Sequence, residues 1–190
     1  MGSTIDRFIP TAVVKERHEI LVHAPAEFVF DVAERFPLQS LGMVRAIFWL
    51  RAKILGARYE PLRKGLIEQT LELGWSKLAY TPGREVVMGS VTQPWIADVK
   101  FHSIAPELIA AFREPGFVKI VWTLEAEPRG PSLTRLSTET RVQPTDKDAA
   151  EKFEAYWRKF KIGIKLIRRL GLAAVKKAAE RRYEGLEFDA

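Results

Sequence analysis

The longest regular pattern in this sequence is a stripe of apolar and small residues in its last third. These residues recur at steps of three and four: Ala149, Phe153, Tyr156, Phe160, Ile164, Ile167, Gly171, Val175 and Ala178. This spacing places them on one face of an α-helix. Thr145, with Asp148 three residues later, resembles a capping box at its start. The sequence therefore predicts one amphipathic helix over about 146–182, with Gly163 and Gly171 as positions of close packing or bending.

A second pattern lies before this stripe. From about residue 62 to 143 the apolar period changes from 3.6 to 2, which predicts β-strands. The strand candidates are 66–73, 75–80, 85–91, 98–104, 117–127 and 133–142. The last two are joined by a short segment with prolines and a glycine, 128–132, which predicts a hairpin.

The first 60 residues hold one strand pattern and two helical patterns. Alternation within 13–23 predicts a strand, and Pro25 suits the first turn of a helix over 26–35. A second helical pattern follows Pro37 and ends at Gly56. This order of elements predicts an α+β fold, in which a curved antiparallel sheet wraps around the long C-terminal helix and two shorter helices follow the first strand.

Composition narrows the classes of function. The chain has 190 residues, of which 47% are hydrophobic and none is cysteine. Disulfide frameworks, thiol nucleophiles and cysteine-ligated metals are therefore excluded. This length and apolar fraction suit one domain over 1–190 with its core at about 13–182. No secretory signal pattern is visible, and three cations interrupt the most apolar stretch, 38–55, so we expect a cytoplasmic protein without a transmembrane segment.

The net charge of +6 is concentrated in one helix. Residues 151–182 contain 11 basic and 3 acidic side chains, a net charge of +8, so the rest of the chain carries −2. Many of these cations lie in the C-terminal half of the helix, where they complement its macrodipole. A basic amphipathic helix is also compatible with an anionic membrane or partner. We do not expect nucleic-acid binding.

Motifs for common catalytic and cofactor chemistry are missing. The chain has no G-x-S-x-G elbow, phosphate-binding loop or G-x-G-x-x-G turn, so no cofactor is predicted. His18 and His23 have an H-x4-H spacing, but on a strand they would lie about 17 Å apart on opposite faces. We therefore expect no metal site. A single His102 could act as a general base or be a structural histidine.

Several stretches resemble the helix-grip proteins of the START/SRPBCC superfamily, which includes polyketide cyclase/dehydrase-like and birch-pollen-allergen-like proteins. The opening EILVHAPAEFVFDVAERF at 19–36 resembles the strand and helix with which these proteins begin. Three later stretches resemble a functionally unassigned bacterial family of this superfamily: LGWSKLAYTPGREVVMGSVTQPW at 73–95, EPGFVKIVWTLEAEP at 114–128 and LSTETRVQPTDKDAAEKFEAYWRKFKIGIKLIRRL at 136–170. The chain departs from the family at 161–163, where a proline is expected. The resemblance implies an apolar cavity between the sheet and the C-terminal helix.

Aromatic residues are the main candidates for lining such a cavity, since small-molecule sites combine apolar walls with a few polar groups. Glu139 and Arg141 share one face of their strand; if Thr138, Thr140 and Val142 point outward, this pair faces the cavity. The alternative is an ion pair on the other side of the sheet. The candidate ligand-binding residues are Trp75, Trp95, Phe101, Trp122, Glu139, Arg141, Tyr156, Trp157 and Phe160.

Three functions are compatible with these patterns. The first is binding of a hydrophobic or aromatic small molecule, lipid- or polyketide-like, by a monomer or homodimer. The second is a polyketide cyclase/dehydratase-type enzyme that uses the same cavity, with His102, Glu139 or Tyr156 as the acid–base group. The third is an interaction module whose basic helix contacts a membrane or another anionic partner.

Overall fold

The computed structural model describes residues 3–61 and 64–188. The strands are β1 (Val14–Val22), β2 (Ser76–Thr81), β3 (Glu85–Thr92), β4 (Phe101–His102), β5 (Val118–Gly130) and β6 (Leu133–Pro144). The helices are α1 (Ala26–Arg35), α2 (Gly42–Leu55), α3 (Leu66–Glu72), α4 (Pro106–Ile109) and α5 (Lys147–Phe188). Two 3-10 turns, Thr4–Arg7 and Leu38–Ser40, precede β1 and α2.

The strands form one antiparallel sheet in the order β1-β6-β5-β3-β2, and β4 pairs with the end of β3. β5 and β6 are the hairpin predicted from the segment 128–132, with Glu127 opposite Arg135 and Pro128 opposite Thr134. α1 and α2 follow β1, and α5 ends the chain. This α+β arrangement of an open antiparallel sheet and a long C-terminal helix confirms the predicted helix-grip fold.

The two faces of the sheet have different coverings. On the face that contacts α5, called here the helix-side face, Trp122, Leu124 and Leu136 pack with Leu172 and Val175 of the helix. The side chains on this face occupy even-numbered positions of β5 and β6, as the alternation of a strand requires. α1 contributes to the same cluster, with these buried residues: Val29, Phe30, Val32 and Ala33. The apolar stripe of α5 is therefore buried against the apolar side chains of this face.

The opposite face, called here the outer face, carries a second apolar cluster. Ile5, Phe8 and Ile9 from the N-terminal turn pack there with Val87 and Val121 of the sheet. Seven consecutive residues of β3, from Val86 to Thr92, are therefore buried. A strand covered on both faces shows a continuous run of buried residues and not strict alternation.

Two of the six strand predictions differ from the structure. The segment 66–73 is the helix α3, in which Ile67 and Thr70 are buried, and α3 contacts α1. A short apolar segment fits both periods, so packing decides its conformation. The predicted strand over 98–104 is reduced to the two residues of β4.

The ends and the packing of α5 agree broadly with the stripe. The N-cap differs from the prediction: Asp146, not Thr145, accepts the backbone N–H of Ala149 at 2.8 Å through Oδ1. Gly163 and Gly171 are points of close approach, since a Cβ atom would lie 3.0 Å from Ile47 Cγ2 and 2.9 Å from Leu38 Cδ1 respectively. Glycine thus lets α2 and the turn before it approach the long helix.

Candidate ligand-binding site

Trp122 on β5 is the centre of an aromatic group on the helix-side face. Its ring lies 6.5 Å from that of Trp75 in an edge-to-face arrangement, and the Trp75 ring lies 5.1 Å from that of Phe101. Trp122 is 6% exposed, whereas Trp75 and Phe101 are half-buried. These three residues, called here the aromatic trio, present an apolar surface that is only partly covered by other protein groups.

Backbone geometry brings Trp75 and Phe101 together. Gly74, which precedes Trp75, has a φ of +95°, and a Cβ atom at this position would lie 2.3 Å from the carbonyl oxygen of Phe101. Only glycine accommodates both the left-handed conformation and this approach of the two chain segments. The short strand β4 therefore lies close to the residues that precede β2, and the backbone N–H of Ile104 donates to Ser76 Oγ at 2.8 Å in the same region.

A second aromatic group lies on the first half of α5. Phe153, Tyr156 and Phe160 are buried there, with 4.8 Å between the ring centroids of Tyr156 and Phe160. Their apolar neighbours come from the sheet, α2, α5 and the segment after β3: Val14, Leu55, Trp95, Val118, Ile120, Val142, Trp157 and Ile164. Ile120 and Trp122 are neighbours on the same face of β5. The two aromatic groups are therefore adjacent, and Phe153 is a member that the sequence analysis did not propose.

Arg51 of α2 ties the second group to the loop before Trp95. Its Nε donates to the hydroxyl oxygen of Tyr156 at 3.1 Å, and its Nη2 donates to the carbonyl oxygen of Pro94 at 3.1 Å. The guanidinium carbon also lies 5.6 Å from the centroid of the Tyr156 ring. α2, α5 and the segment after β3 are thus held together by one side chain.

Arg168 is the cation of α5 that points toward the sheet beside the aromatic trio. Its Nη1 donates to Thr138 Oγ1 at 3.0 Å, and its guanidinium carbon lies 5.7 Å from the centroid of the Trp122 ring. Among the described residues, no carboxylate lies within 4.0 Å of it. Burial lowers the pKa of Arg168 to about 10. The guanidinium therefore combines partial desolvation with the absence of a protein counterion in the described part of the chain.

Arg168 was not among the predicted site residues, although its position could have identified it. It follows Ile164 by four residues and precedes Gly171 by three, so it lies on the face of the apolar stripe. By charge alone it is one of the 11 cations in residues 151–182. Arg168 could have been distinguished by its position on the apolar stripe, because Arg158 and Arg169 are exposed.

His18 completes a polar group around Thr138. It is opposite Thr138 in the pairing of β1 with β6, and its Nε2 is buried without a hydrogen-bond partner. Burial lowers the pKa of His18, and the positive charges of Arg169, Arg168 and Lys165 lower it further against the opposing effect of Glu16. The imidazole is therefore neutral near pH 7. His18, Thr138 and Arg168 are called here the polar group.

Glu139 and Arg141 lie on the outer face, so the prediction that they face the space between sheet and helix is wrong. Val142 packs with the aromatic residues of α5, which directs Arg141, one position earlier, to the other side of β6. There Arg141 donates to Glu139 Oε1 at 2.7 Å, to Asp6 Oδ1 at 2.6 Å and to the carbonyl oxygen of Ile9 at 2.9 Å. The pair anchors the N-terminal turn and does not line the aromatic surface.

The side chains of the remaining histidines do not join the aromatic trio, although His102 directly follows Phe101 on β4. His102 is exposed on β4, with its ring 5.8 Å from that of Phe117 in a T-shaped contact. His23 follows β1 and is within 3.0 Å of Glu180. Residues 3–61 and 64–188 contain no group of three or more histidine, aspartate or glutamate side chains arranged to hold a metal ion. Of the three acid–base candidates, Tyr156 is the one placed among the aromatic residues.

Two surface grooves lie at the margins of the sheet. One, of about 340 Å³, is lined by residues of 11–13 and 143–146 together with Ala150. The other, of about 450 Å³, is lined by residues of 19–21, Arg129, Leu133 and Arg135. Neither groove includes a member of the aromatic trio. Within the described residues, none of the helices has the length and apolarity needed to span a bilayer.

Comparison with known proteins gives likenesses of structure only. No protein-family model and no curated protein matches the chain. A conserved protein from Geobacillus kaustophilus is similar with 12% identity and a TM-score of 0.42, over 88% of this chain and 96% of that one. The Zhui aromatase/cyclase from Streptomyces sp. R1128 is similar with 15% identity and a TM-score of 0.32, over 89% and 94%. Norcoclaurine synthase from Thalictrum flavum is similar with 13% identity and a TM-score of 0.37, over 94% and 92%.

Proposed function

We propose that this protein binds a hydrophobic or aromatic small molecule between the helix-side face of its sheet and α5. The observation that carries the proposal is the aromatic trio, a partly exposed apolar surface that lies beside the guanidinium of Arg168. An apolar wall with a few directed polar groups is the usual composition of a small-molecule site. The second aromatic group extends this wall along β5 toward Tyr156 and Phe160.

Ordinary core packing is the competing explanation for the aromatic residues, and it accounts for only part of them. Phe153 and Phe160 are buried against β5 and β6, as core residues are. Trp75 and Phe101, in contrast, keep part of their surface uncovered. Burying a cation without a counterion is costly in any core, and the guanidinium of Arg168, which has no such counterion within the described residues, lies over the Trp122 ring. These two features favour a binding surface at the aromatic trio.

Tryptophan fluorescence and thermal denaturation test this proposal. The purified chain is titrated with 2-methylnaphthalene as an aromatic probe and decanol as a lipid-like probe. We expect saturable quenching or a spectral shift, together with a rise in melting temperature, because a ligand that binds only the folded state stabilises it. Native mass spectrometry of the protein purified from its host would then identify any retained molecule.

The matched variants are Trp122→Leu and Trp49→Leu. Trp122 belongs to the trio, whereas Trp49 is 51% exposed on α2. We expect Trp122→Leu to weaken binding of both probes by up to about tenfold, since an aromatic contact contributes about 0.5–1.5 kcal/mol. Trp49→Leu should leave the affinity unchanged. Absence of saturable binding by the wild-type protein, or equal effects of the two variants, would contradict the proposal.

A second candidate function is contact with an anionic membrane. Large apolar side chains are exposed on α2 and on the neighbouring turns of α5: Met43, Trp49, Leu50, Ile54, Ile162 and Leu166. Lys53 lies over the Trp49 ring at 5.1 Å, and Lys161 and Arg169 are exposed on α5. Apolar residues accompanied by cations are typical of helices that lie in a membrane interface.

Vesicle sedimentation tests this candidate. We expect binding to vesicles with 30% phosphatidylglycerol but not to pure phosphatidylcholine, and loss of binding in a Trp49→Ser/Leu50→Ser variant. Electrostatic attraction to the vesicle should weaken as salt screens the charges. A matched double variant on the outer surface, Val13→Ser/Leu108→Ser, changes two residues that are also exposed and should still bind. Binding that is independent of lipid charge would exclude this function.

A further inference from the structure

We propose that the ligand of this site is an amphipathic organic acid, whose carboxylate binds the guanidinium of Arg168 while its apolar body lies against Trp122 and its aromatic neighbours. This inference rests on the proposed function, because it assigns a chemical class to the ligand of the same site. It is carried by an unpaired guanidinium on the apolar face of α5, next to partly uncovered aromatic rings.

The guanidinium has unused hydrogen-bonding capacity. Arginine carries five N–H donors in a planar fork, and one of them donates to Thr138 within the described residues. Two other cations of α5 that reach the first strand have carboxylate partners: Lys165 binds Glu16 and Lys176 binds Glu180, each at 2.7 Å. Arg168 differs from both because the described part of the chain supplies it with no anion.

Electrostatics favours an external anion at this position. A partly desolvated cation without a counterion is unfavourable, and burial accordingly lowers the pKa of Arg168 to about 10. A carboxylate removes this cost and can bind both edges of the fork in a bidentate pair. A neutral ligand gains nothing comparable. The site should therefore prefer an acid to its neutral analogue.

The surroundings of Arg168 define where the two parts of the ligand would lie. Thr138 and Trp122 are on adjacent strands, because Trp122 is opposite Thr140 in the register of β5 and β6. A carboxylate on the guanidinium would lie above these two strands, close to His18, whose Nε2 has no hydrogen bond and lies 4.0 Å from Glu16 Oε2. The ring of Trp122 contacts that of the half-buried Trp75, which in turn contacts the half-buried Phe101. The apolar body of the ligand would follow these rings.

Two matched pairs of probes test the charge preference and separate the two sources of such an acid. The aromatic pair is 2-naphthoate and its methyl ester, and the lipid-like pair is decanoate and decanol. Dissociation constants are measured for the wild-type protein at pH 7.5 and constant ionic strength. We expect the acid of at least one pair to bind at least about tenfold more tightly than its neutral partner, since hydrogen bonds between charged groups are stronger than those between neutral groups. The pair with the tighter acid shows whether the ligand is aromatic or aliphatic.

Arg168→Gln should remove this preference. We expect the affinity for the acid to fall about tenfold while that for the neutral partner changes less than about threefold. Arg158→Gln is the control, because Arg158 is an exposed arginine of the same helix, and it should retain the preference. Arg168→Lys, which keeps the charge and loses the fork, should be intermediate. Circular dichroism establishes that each variant is folded, and Arg168→Lys decides the question if Arg168→Gln does not fold.

The outcomes distinguish the two proposals. If acids and neutral probes bind equally and Arg168→Gln behaves as Arg158→Gln does, the inference about the acid is overturned and the proposed function stands. If none of the four probes binds the wild-type protein, the proposed function fails as well. Loss of the preference in Arg158→Gln would show that net charge, and not Arg168, selects the acid, and would also overturn the inference.

Discussion

The guanidinium of Arg141 donates to Glu139 at 2.7 Å on the outer face of the sheet, and each of the two side chains is only 4% exposed. The same guanidinium binds Asp6 and the carbonyl oxygen of Ile9. It thereby holds the N-terminal turn over Val87 and Val121. Hydrogen bonding by Arg141 lowers the pKa of the Asp6 carboxyl, as expected for a carboxylate held by a cation.

We predict that Arg141→Gln destabilises the protein by about 3 kcal/mol, because it leaves the buried Glu139 carboxylate without its nearest cation and releases the N-terminal turn. Urea denaturation measures the change. Arg129→Gln is the control: Arg129 pairs with Glu127 at 3.4 Å but is 42% exposed, so its loss should cost less than about 1 kcal/mol. Since Arg141 lies on the outer face, folded Arg141→Gln should bind the naphthalene and decyl probes normally. Weakened binding would contradict the assignment of the site to the other face.

We predict that replacing the buried Lys119 by an apolar residue raises the free energy of unfolding. Its side chain is on the outer face with 1% exposure, and its Nζ donates to the carbonyl oxygen of Ala110 at 3.2 Å. Burial, with a smaller contribution from Arg113, lowers the pKa of Lys119 to about 8. Lys119→Met should stabilise the protein by about 2 kcal/mol at pH 7, because it removes a buried charge that has no carboxylate partner. Arg113 also donates to the Ala110 carbonyl, so this oxygen keeps a hydrogen bond.

The pH dependence of this effect has a definite sign. Below pH 8 Lys119 is protonated in both states, and the full cost of burial is present. Between about pH 8 and 10.5 the folded state releases the proton while the unfolded state keeps it, so this group makes stability rise with pH. The gain in melting temperature from Lys119→Met should therefore be largest at pH 7 and shrink toward pH 10. Lys177→Met, at an exposed position of α5, should show no such trend.

We predict that Gly74→Ala destabilises the protein and disturbs the packing of the aromatic trio. Gly74→Ala combines a left-handed backbone with a Cβ atom 2.3 Å from the Phe101 carbonyl oxygen. Gly56 also has a positive φ, of 73°, but nothing lies within 4 Å of its Cβ position. Gly56→Ala should therefore show the backbone cost alone, about 1 kcal/mol. Gly74→Ala should cost more in thermal denaturation and should change the tryptophan emission spectrum. Equal costs at the two positions would argue against the close approach.

We predict that the stabilisation of the N-terminus of α5 by Asp146 is lost at low pH. Hydrogen bonds from the backbone N–H groups of Ala149 and Gly116 lower the pKa of its carboxyl. A lowered pKa means that this stabilisation is present above the unfolded pKa of about 4 and is lost as the pH falls through the folded value. Asp146→Ala should thus lower the melting temperature at pH 7 and make little difference at pH 2. Asp146→Asn, which preserves a capping side chain, should be closer to the wild-type protein at pH 7. A difference that is constant over this range would exclude the ionised cap.

Most of the secondary structure could be predicted because its patterns are long. The stripe of α5, the helix over 26–35 and the strands β5 and β6 each contain enough residues for one period to prevail. The segment 66–73 could not be assigned correctly, since eight residues fit a strand or two turns of helix. Packing of α3 against α1 then decides its conformation.

The candidate site could be predicted only in part. The sequence proposed Trp75, Phe101 and Trp122, and the structure places their rings together. It did not separate Arg168 from the exposed cations of α5, because charge alone does not reveal which way a side chain points. The partners of Arg168, Thr138 and Trp122, are 30 and 46 residues away in the chain, beyond the reach of any local pattern.

The sequence by itself determined the order of the elements, the long amphipathic helix and the alternation of each long strand. Only the tertiary structure decided which face of each strand meets the helix. Alternation defines two faces of β6 but does not show which of them meets the helix. Either face could be buried: one carries Thr138, Thr140 and Val142, and the other carries Glu139 and Arg141. The N-terminal turn covers the outer face and supplies Asp6 to Arg141, which makes a buried ion pair possible there. α5 takes the other face because its aromatic stripe needs an apolar surface, and this choice places Arg168 over Trp122.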